Sequence, residues 1–361
     1  LLGLKPNVDL SKFNAKDVQF SQGSELDDKF PNNALIIVDE SSMINDELYA
    51  FLMEKVNAAK GTKIIFLGDN AQLAPVNQLT PSKALTSTDD GAVLTEIMRT
   101  EDPALLDEST AVRESGSFTY KSDMKDGKGV SFTNSAKSFV ELAINMFGSP
   151  AFKTNPLLVR VVAFTNNRVE KFNEVIRLGL FGENPPSYVV GELLMGYSSF
   201  GKAIQKDGLT PVANGVDYIV QELVSSKVET IFGVDVTIET IKIKDIFGLE
   251  DAQTIKILSP KTPKETVKEL GLAAAAVIKR AQKDRQVWKR EFYPVADTYA
   301  FPFDIEYGRG KDGKPLVAMK STLQYGYAHN IHKSQGGTYT YAMVDDQDIE
   351  ASRASPSDKQ K

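Results

Sequence analysis

Two adjacent carboxylates, Asp39 and Glu40, come directly after the apolar run Ala34-Leu35-Ile36-Ile37-Val38. In nucleotide hydrolases a carboxylate at the end of a buried strand can hold Mg²⁺, usually through water. A neighbouring Glu can orient and deprotonate the attacking water. The same pair could equally be two solvated acids that open a helix, with Asp39 or Ser41 as its N-cap. A second apolar run, Lys63-Ile64-Ile65-Phe66-Leu67, ends in Gly68-Asp69-Asn70-Ala71-Gln72-Leu73-Ala74-Pro75-Val76. Gly68 permits a close backbone approach or a positive φ. Gln72 is an amide able to touch a γ-phosphate or a water, and Pro75 ends any helix. Alone, this stretch reads as an ordinary turn. Two such strand ends, one helix and one strand apart, are an improbable coincidence.

The elements that must position these residues are set by apolar periodicity. Residues 34–38 are apolar on both faces, which suits a parallel strand covered on both sides. Residues 46–59 form a helix with Leu48, Phe51, Leu52 and Val56 on one face, and 63–67 a second buried strand. Strand, helix and strand make a βαβ unit, so a parallel α/β sheet is expected. Residues 103–115 read as a polar helix. The logic repeats at Leu157 to Phe164, a strand, and Asn167 to about Leu180, a helix, which gives a second α/β domain. Residues 191–260, rich in Val, Ile and Thr with turn signals such as Asn214-Gly215, read as a small β-barrel or sheet. Residues 262–291 are strongly helical, and 322–345 return to strand, turn and strand. A β-hairpin is expected within 1–30, and the polar tail Ser355 to Lys361 is expected to be disordered.

The chain has 361 residues, enough for two or three domains. It contains no cysteine, so disulfides, thiolate metal sites and thiol nucleophiles are excluded. Its two histidines, His329 and His332, are too few for most histidine-based metal sites, and His329 reads as a strand residue rather than a ligand. The net charge of −6 argues against a basic coat protein but leaves room for a local nucleic-acid groove. No apolar run approaches the ~20 residues of a membrane-spanning helix. The start, Leu1-Leu2-Gly3, shows no charged leader or cleavage signal and reads as mid-protein.

Val38-Asp39-Glu40-Ser41-Ser42, with Gly68 to Val76 after it, resembles motifs II and III of superfamily 1 helicases. Leu94-Thr95-Glu96-Ile97-Met98-Arg99 resembles motif IV. Val162-Ala163-Phe164-Thr165-Asn166-Asn167 resembles the opening of the second motor domain, and Ile331-His332-Lys333-Ser334-Gln335-Gly336-Gly337-Thr338 resembles motif V of the 5′-to-3′ branch. Order and spacing are most similar to the Dda-like helicases of the RecD/Pif1-like group, superfamily 1B. The likeness is firm at the motifs and weak between 195 and 320. It implies an α/β fold of two RecA-like P-loop NTPase domains with parallel sheets, plus a β-rich, SH3-like insertion in the second. Residues 1–30 would be a pin-like hairpin insertion (1B) and 31–125 the rest of the first RecA-like domain (1A). Residues 126–192 and 321–361 would form the second (2A), and 193–320 the β-rich and helical insertion (2B).

The resemblance also implies roles. Asp39 would be the Mg²⁺ carboxylate and Glu40 the catalytic base. Gln72 would sense the γ-phosphate, and Arg99 would stabilise charge on the transferring phosphoryl group, a role that can be worth ~10³-fold or more in rate. Gln335 and Gly336 would lie near the ATP cleft between the domains. Thr165, Asn166, His332, Lys333 and Ser334 would meet the nucleic-acid backbone. Phe13 or Phe20 could stack on the base at the fork or simply pack the hairpin; Trp288, Tyr293 and Phe301 read as packing residues. The implied cofactors are ATP and Mg²⁺. The implied partners are single-stranded and fork DNA, with replication or recombination proteins besides. A monomer in the cytoplasm of a bacterial or phage-infected cell is expected, with no membrane role.

Two family features have no counterpart. No window fits the phosphate loop Gly-x-x-x-x-Gly-Lys-Ser/Thr; Gly308 to Lys314 lacks its spacing and reads as a hairpin. Ala351-Ser352-Arg353 is only a faint echo of the arginine-finger motif. The expectation is a fragment whose phosphate loop lies upstream and whose arginine finger lies beyond Lys361, inactive by itself. Rival readings are an RNA helicase of the same superfamily, a non-catalytic nucleic-acid-binding module, and a transport ATPase.

Overall fold

The computed structural model describes residues 30–72, 75, 78, 80–87, 90–98, 100–200, 212–248, 251–311, 313–334 and 336–351, and the backbone of two short strands near the start. Chain contacts divide it into a first unit reaching Asn134 and a second from Ser135 to Ser352.

In the first unit, β1 (Leu4–Pro6) pairs antiparallel with β2 (Phe20–Gln22), the pairing a hairpin requires. The strands β3 (Leu35–Val38) and β4 (Lys63–Phe66) run parallel, with Leu35 opposite Lys63 and Val38 opposite Phe66. Their crossover is helix α1 (Asp46–Ala58), which buries Leu52 and Val56. Tyr49 of α1 meets Phe66 with ring centroids 5.8 Å apart. The helix therefore covers the face that carries Ile36, Val38, Ile64 and Phe66. The expectation of strands covered on both sides is corrected here. Leu35 and Ile37 are 59% and 60% exposed, because α1 covers a single face.

A short helix α2 (Lys83–Thr86) comes next, then α3 (Pro103–Ser115). Asp102 caps α3, Pro103 opens it, and Gly116 ends it at φ 72°. The hairpin β5 (Asp123–Lys125) and β6 (Lys128–Val130) closes the unit. Phe132 packs on Phe118 and Tyr120 at 6.1 and 5.3 Å.

The second unit opens with α4 (Ala136–Phe147) and α5 (Pro150–Thr154), then β7 (Val159–Ala163) and α6 (Asn166–Phe181). Next come β8 (Leu193–Gly196), β9 (Asp217–Ile231), β10 (Val234–Asp245) and β11 (Gln253–Leu258). The long helix α7 (Lys264–Lys283) leads through α8 (Arg285–Val287) and a π turn, Trp288–Phe292, into α9 (Tyr293–Thr298). The chain continues through strands β12 (Tyr299–Ala300), β13 (Ile305–Arg309), β14 (Pro315–Met319), β15 (Leu323–Tyr325) and β16 (Ala328–Asn330). The helical turn α10 (Ile331–Ser334), β17 (Tyr341–Val344) and α11 (Asp346–Ala351) end the unit. Thus 322–345 is not a simple strand–turn–strand segment; a helical turn stands between β16 and β17. The expected hairpin at Gly308 to Lys314 is present as β13–β14.

A parallel sheet in the order β16-β7-β17 forms the first layer. Val159, Val161 and Ala163 turn one face of β7 toward Phe172 and Ile176 of α6 and Ala143 and Phe147 of α4. Helix α4 is an addition to the elements expected from the sequence. A second sheet has six strands, β12-β11-β10-β9-β8-β15, antiparallel except for the β11–β12 pair. Its two edges meet, since the backbone N–H groups of Thr322 and Leu323 both donate to Phe301 O at 2.8 and 3.2 Å. Alternate residues Tyr218, Val220, Ile241, Ile243, Ile255 and Ile257 fill the enclosed core. Phe301 is buried, as a packing residue should be. Among the described residues no helix is long and apolar enough to cross a membrane.

Two buried ion pairs join α6 and β7 to the chain at the starts of β8 and β9. Arg177 of α6 binds Glu192, donates to Pro186 O at 2.8 Å and lies 4.0 Å over the Tyr325 ring. Burial raises the Glu192 carboxyl, and the Arg177 guanidinium opposes that rise. Arg160 of β7 pairs with Asp217 at the start of β9 and donates to Pro156 O and Val159 O. Breaking one partner of such a pair leaves an uncompensated buried charge. Arg177→Met should therefore cost about 3–5 kcal/mol in urea unfolding, and adding Glu192→Leu should restore much of it. Equal losses in the single and double variants would contradict this account.

Candidate functional site

Asp39, Glu40 and Gln72 in the first unit, and Thr165, Asn166, His332, Lys333 and Ser334 in the second, follow the ends of parallel strands, the edge at which α/β sheets hold ligands. In the first unit, Asp39 and Glu40 come directly after β3. Glu40 has φ 51° and ψ 40°, a left-handed backbone that non-glycine residues seldom adopt. A short 3₁₀ turn, Ser41–Met43, begins there, and Glu40 makes no side-chain cap bond to it. Asp39 Oδ1 accepts the Glu40 N–H at 2.9 Å. The cap of α1 is Asn45, whose side chain accepts from Leu48 N at 2.9 Å. Neither Asp39 nor Ser41 caps that helix. The Ser41 hydroxyl donates to Val38 O at 2.7 Å, and the Ser41 N–H donates to Leu67 O at 2.8 Å, tying the two strand ends together.

Gly68 resolves into the close-approach reading, for its φ is not positive. A Cβ there would lie 3.0 Å from Ser42 N and 3.1 Å from Ser41 N. Next to it, Asp69 takes both guanidinium nitrogens of Arg113 at 2.8 and 2.9 Å and the Ala71 N–H at 2.9 Å. The Arg113 hydrogen bonds, aided by the Ala71 N–H and the Gln72 side chain, hold the Asp69 carboxyl below its usual range. Gln72 thus sits one bond from a fork on α3. Sequence reasoning misses Arg113; its distance along the chain and its place on a polar helix give no signal.

In the second unit, Thr165 caps α6, accepting from Arg168 N, while its hydroxyl donates to Asp348 Oδ1 at 2.9 Å. Asp348 also accepts the Phe164 and Thr165 N–H groups at 2.8 and 2.7 Å. Asn166 Oδ1 accepts from Asn330 Nδ2 at 2.9 Å, and Asn330 Oδ1 accepts the Lys333 N–H at 3.1 Å. Phe164 and His332 bring their rings to 6.3 Å. The Ser334 hydroxyl donates to Ile331 O at 2.7 Å. Gly336 takes φ 76°, and Gly337 N donates back to Ser334 O at 2.9 Å, turning the chain beyond α10. Thr165, Asn166, His332, Lys333 and Ser334 therefore gather on one edge. Asn330, Arg168, Asp345 and Asp348, unmarked in the sequence, brace it, with Arg168 paired to Asp345.

Lys333 is half-buried, and burial lowers its ammonium below the usual lysine range. It donates to Asn214 Oδ1 and to Tyr197 O at 3.4 Å, so two of its three ammonium donors are engaged within the protein. His329 is buried in β16, as the sequence suggested, and neither ring nitrogen has a partner among the described residues. Desolvation, with Arg160 and Lys333 adding to it, lowers it to about 3, so it is neutral. Phe13, Arg99 and Gln335 lie outside the described residues.

The Asp69–Arg113 fork gives a direct test. The folded carboxyl titrates below its ordinary ~4, so the bridge stabilises the fold above that pH and is lost as pH falls through the folded value. Arg113→Met should bring the Asp69 midpoint back toward the ordinary range in an NMR carboxyl titration. An unmoved midpoint would contradict the assigned cause.

Residues 10–128 match the family model described as an AAA domain. Over 179 residues the chain is 31% identical to the ATP-dependent DNA helicase dda of Enterobacteria phage T4, covering 48% of this chain and 39% of that helicase. The matched region thus spans well under half the length of that relative. Among solved structures, the Pif1 helicase of Candida albicans is similar at a TM-score of 0.43 and 17% identity, over 88% of this chain and 67% of that one. Over these spans the chain is similar to an AAA domain and to a phage DNA helicase.

Proposed function

We propose that this chain is a large part of the motor of an ATP-driven helicase that moves 5′ to 3′ along single-stranded DNA and separates the duplex ahead. The observation that carries the reading is the β3–β4 edge. Two acids stand there, and helix capping has been handed to Asn45. The Glu40 carboxylate is thereby left for a water, from which it would take the proton during attack on the γ-phosphate. Asp39, a single exposed carboxylate, suits Mg²⁺, which keeps most of its waters and binds through one or two carboxylates plus substrate phosphate. When bound, the ion would neutralise charge on the phosphate oxygens. Gln72, tied through Asp69 to Arg113, would sense the γ-phosphate. Arg99 would stabilise the transferring group, and Gln335 and Gly336 would complete the nucleotide contacts.

At the second edge, Thr165, Asn166, His332, Lys333 and Ser334 would track the DNA backbone. A phosphate would compete with Asn214 for Lys333. Within this reading residues 1–30 are the pin-like 1B insertion with Phe13 at the fork, and 193–320 the SH3-like 2B insertion. Fork DNA is the substrate, the protein acts as a monomer in the cytoplasm, and replication or recombination proteins are its companions.

The test is Glu40→Gln in the whole protein. ATP binding should persist while hydrolysis falls about 10²-fold or more. Stimulation should come from single-stranded DNA and not from RNA. Hydrolysis near the unsubstituted rate would remove Glu40 as the base, and stimulation by RNA alone would replace DNA as the track.

A further inference from the structure

The segment 279–293 carries six cations against two acids, in a chain whose net charge is −6. Both acids have partners within the segment. Asp284 accepts the Gln286 N–H at 2.8 Å, and Glu291 pairs with Arg280 at 2.7 Å. Among the described residues, no ion pair holds Lys279, Lys283, Arg285, Lys289 or Arg290, and all five are exposed.

The backbone places rings beside these charges. Helix α7 stops at Lys283, Asp284 is extended, and the chain re-enters helix through α8 and the π turn Trp288–Phe292. The wider π turn rotates the helical residues beyond it, a device frequent at functional sites. Trp288 meets Phe292 edge-on at 4.8 Å and lies 5.9 Å from Tyr293 at an interplanar angle of 35°. Phe292 is anchored on Phe232 at the tip of the β9–β10 hairpin, 6.3 Å away and nearly parallel. Tyr293 remains 48% exposed.

We infer that this elbow is a second contact for single-stranded nucleic acid, separate from the residues at the β7 and β16 ends. Five exposed cations without an ion pair among the described residues, within twelve positions of the chain, fit a run of phosphates. The Trp288–Tyr293 pair, open on the tyrosine side, offers a base a stacking surface, which is the combination that holds single strands without sequence preference. An acidic protein surface would satisfy the cations but leave the rings without a planar partner. The inference rests on the nucleic-acid reading above, while its residues take no part in the proposed chemistry.

Trp288 is the only tryptophan, so its fluorescence reports this elbow alone. Titration of the chain with a fluorescein-labelled oligothymidylate of ~15 nucleotides should raise anisotropy and, with unlabelled strand, quench the tryptophan saturably. An abasic strand of the same length should bind without that quenching. Lys283→Gln/Lys289→Gln/Arg290→Gln should weaken binding about tenfold and flatten its salt dependence. Tyr293→Ala should weaken it about fivefold or more. Binding by anisotropy with an unchanged tryptophan signal, and equal binding by the triple variant, would overturn the elbow and leave the helicase reading standing. Equal quenching by polyglutamate would overturn it in favour of an acidic protein partner. Absence of any binding would overturn the elbow, while Glu40→Gln hydrolysis would still test the motor reading by itself.

Discussion

The first N–H groups of a helix have no partner within it and must find acceptors. Where a parallel strand passes into a helix, the residue that answers this need is withdrawn from any other chemistry. The two strand edges of this protein meet the constraint in different ways. After β3 the chain takes a left-handed step at Glu40 and a 3₁₀ turn, so the capping residue is Asn45. The acids at the strand end thereby take no part in capping that helix. After β7 the helix starts at once, and Thr165 is itself the cap. Its hydroxyl and amide, held by Asp348, build a scaffold for the edge.

That scaffold depends on polar groups buried in the second unit. Arg160 with Asp217 and Arg177 with Glu192 fasten β7 and α6 to the chain at the starts of β9 and β8. The six-stranded sheet closes through Phe301 and Thr322, which fixes the strand β15 just before β16 and α10. Lys333 then bonds back to Asn214 and Tyr197. The α10 turn is thus bonded to Asn214 and Tyr197, far back along the chain.

Much of this is legible in the chain because it is local. Apolar runs mark β3, β4 and β7; periodicity marks α1 and α6; Asp102-Pro103 and Gly116 mark both ends of α3. What escapes is non-local. Arg113 finds Asp69 and Asp348 finds Thr165 only after folding, and no spacing rule links them. The apolar Leu35 and Ile37 argue for cover on both faces, yet an apolar run cannot say which neighbour lies over each face. Helix α4 is absent from the expected elements although Phe139, Val140, Ala143 and Phe147 recur at helical spacing. The choice between catalysis and capping at Asp39-Glu40 needs backbone angles, which residue types alone do not fix.

The central claim is that relocating the cap to Asn45 leaves Glu40 for an attacking water. A crystal structure of the whole protein with a non-hydrolysable ATP analogue and a single-stranded oligonucleotide tests it most directly. The account predicts the Glu40 carboxylate on an ordered water in line with the γ-phosphate, with Asn45 still bonded to Leu48 N. A Glu40 side chain folded back onto the helix N-terminus, remote from the phosphate, would contradict it.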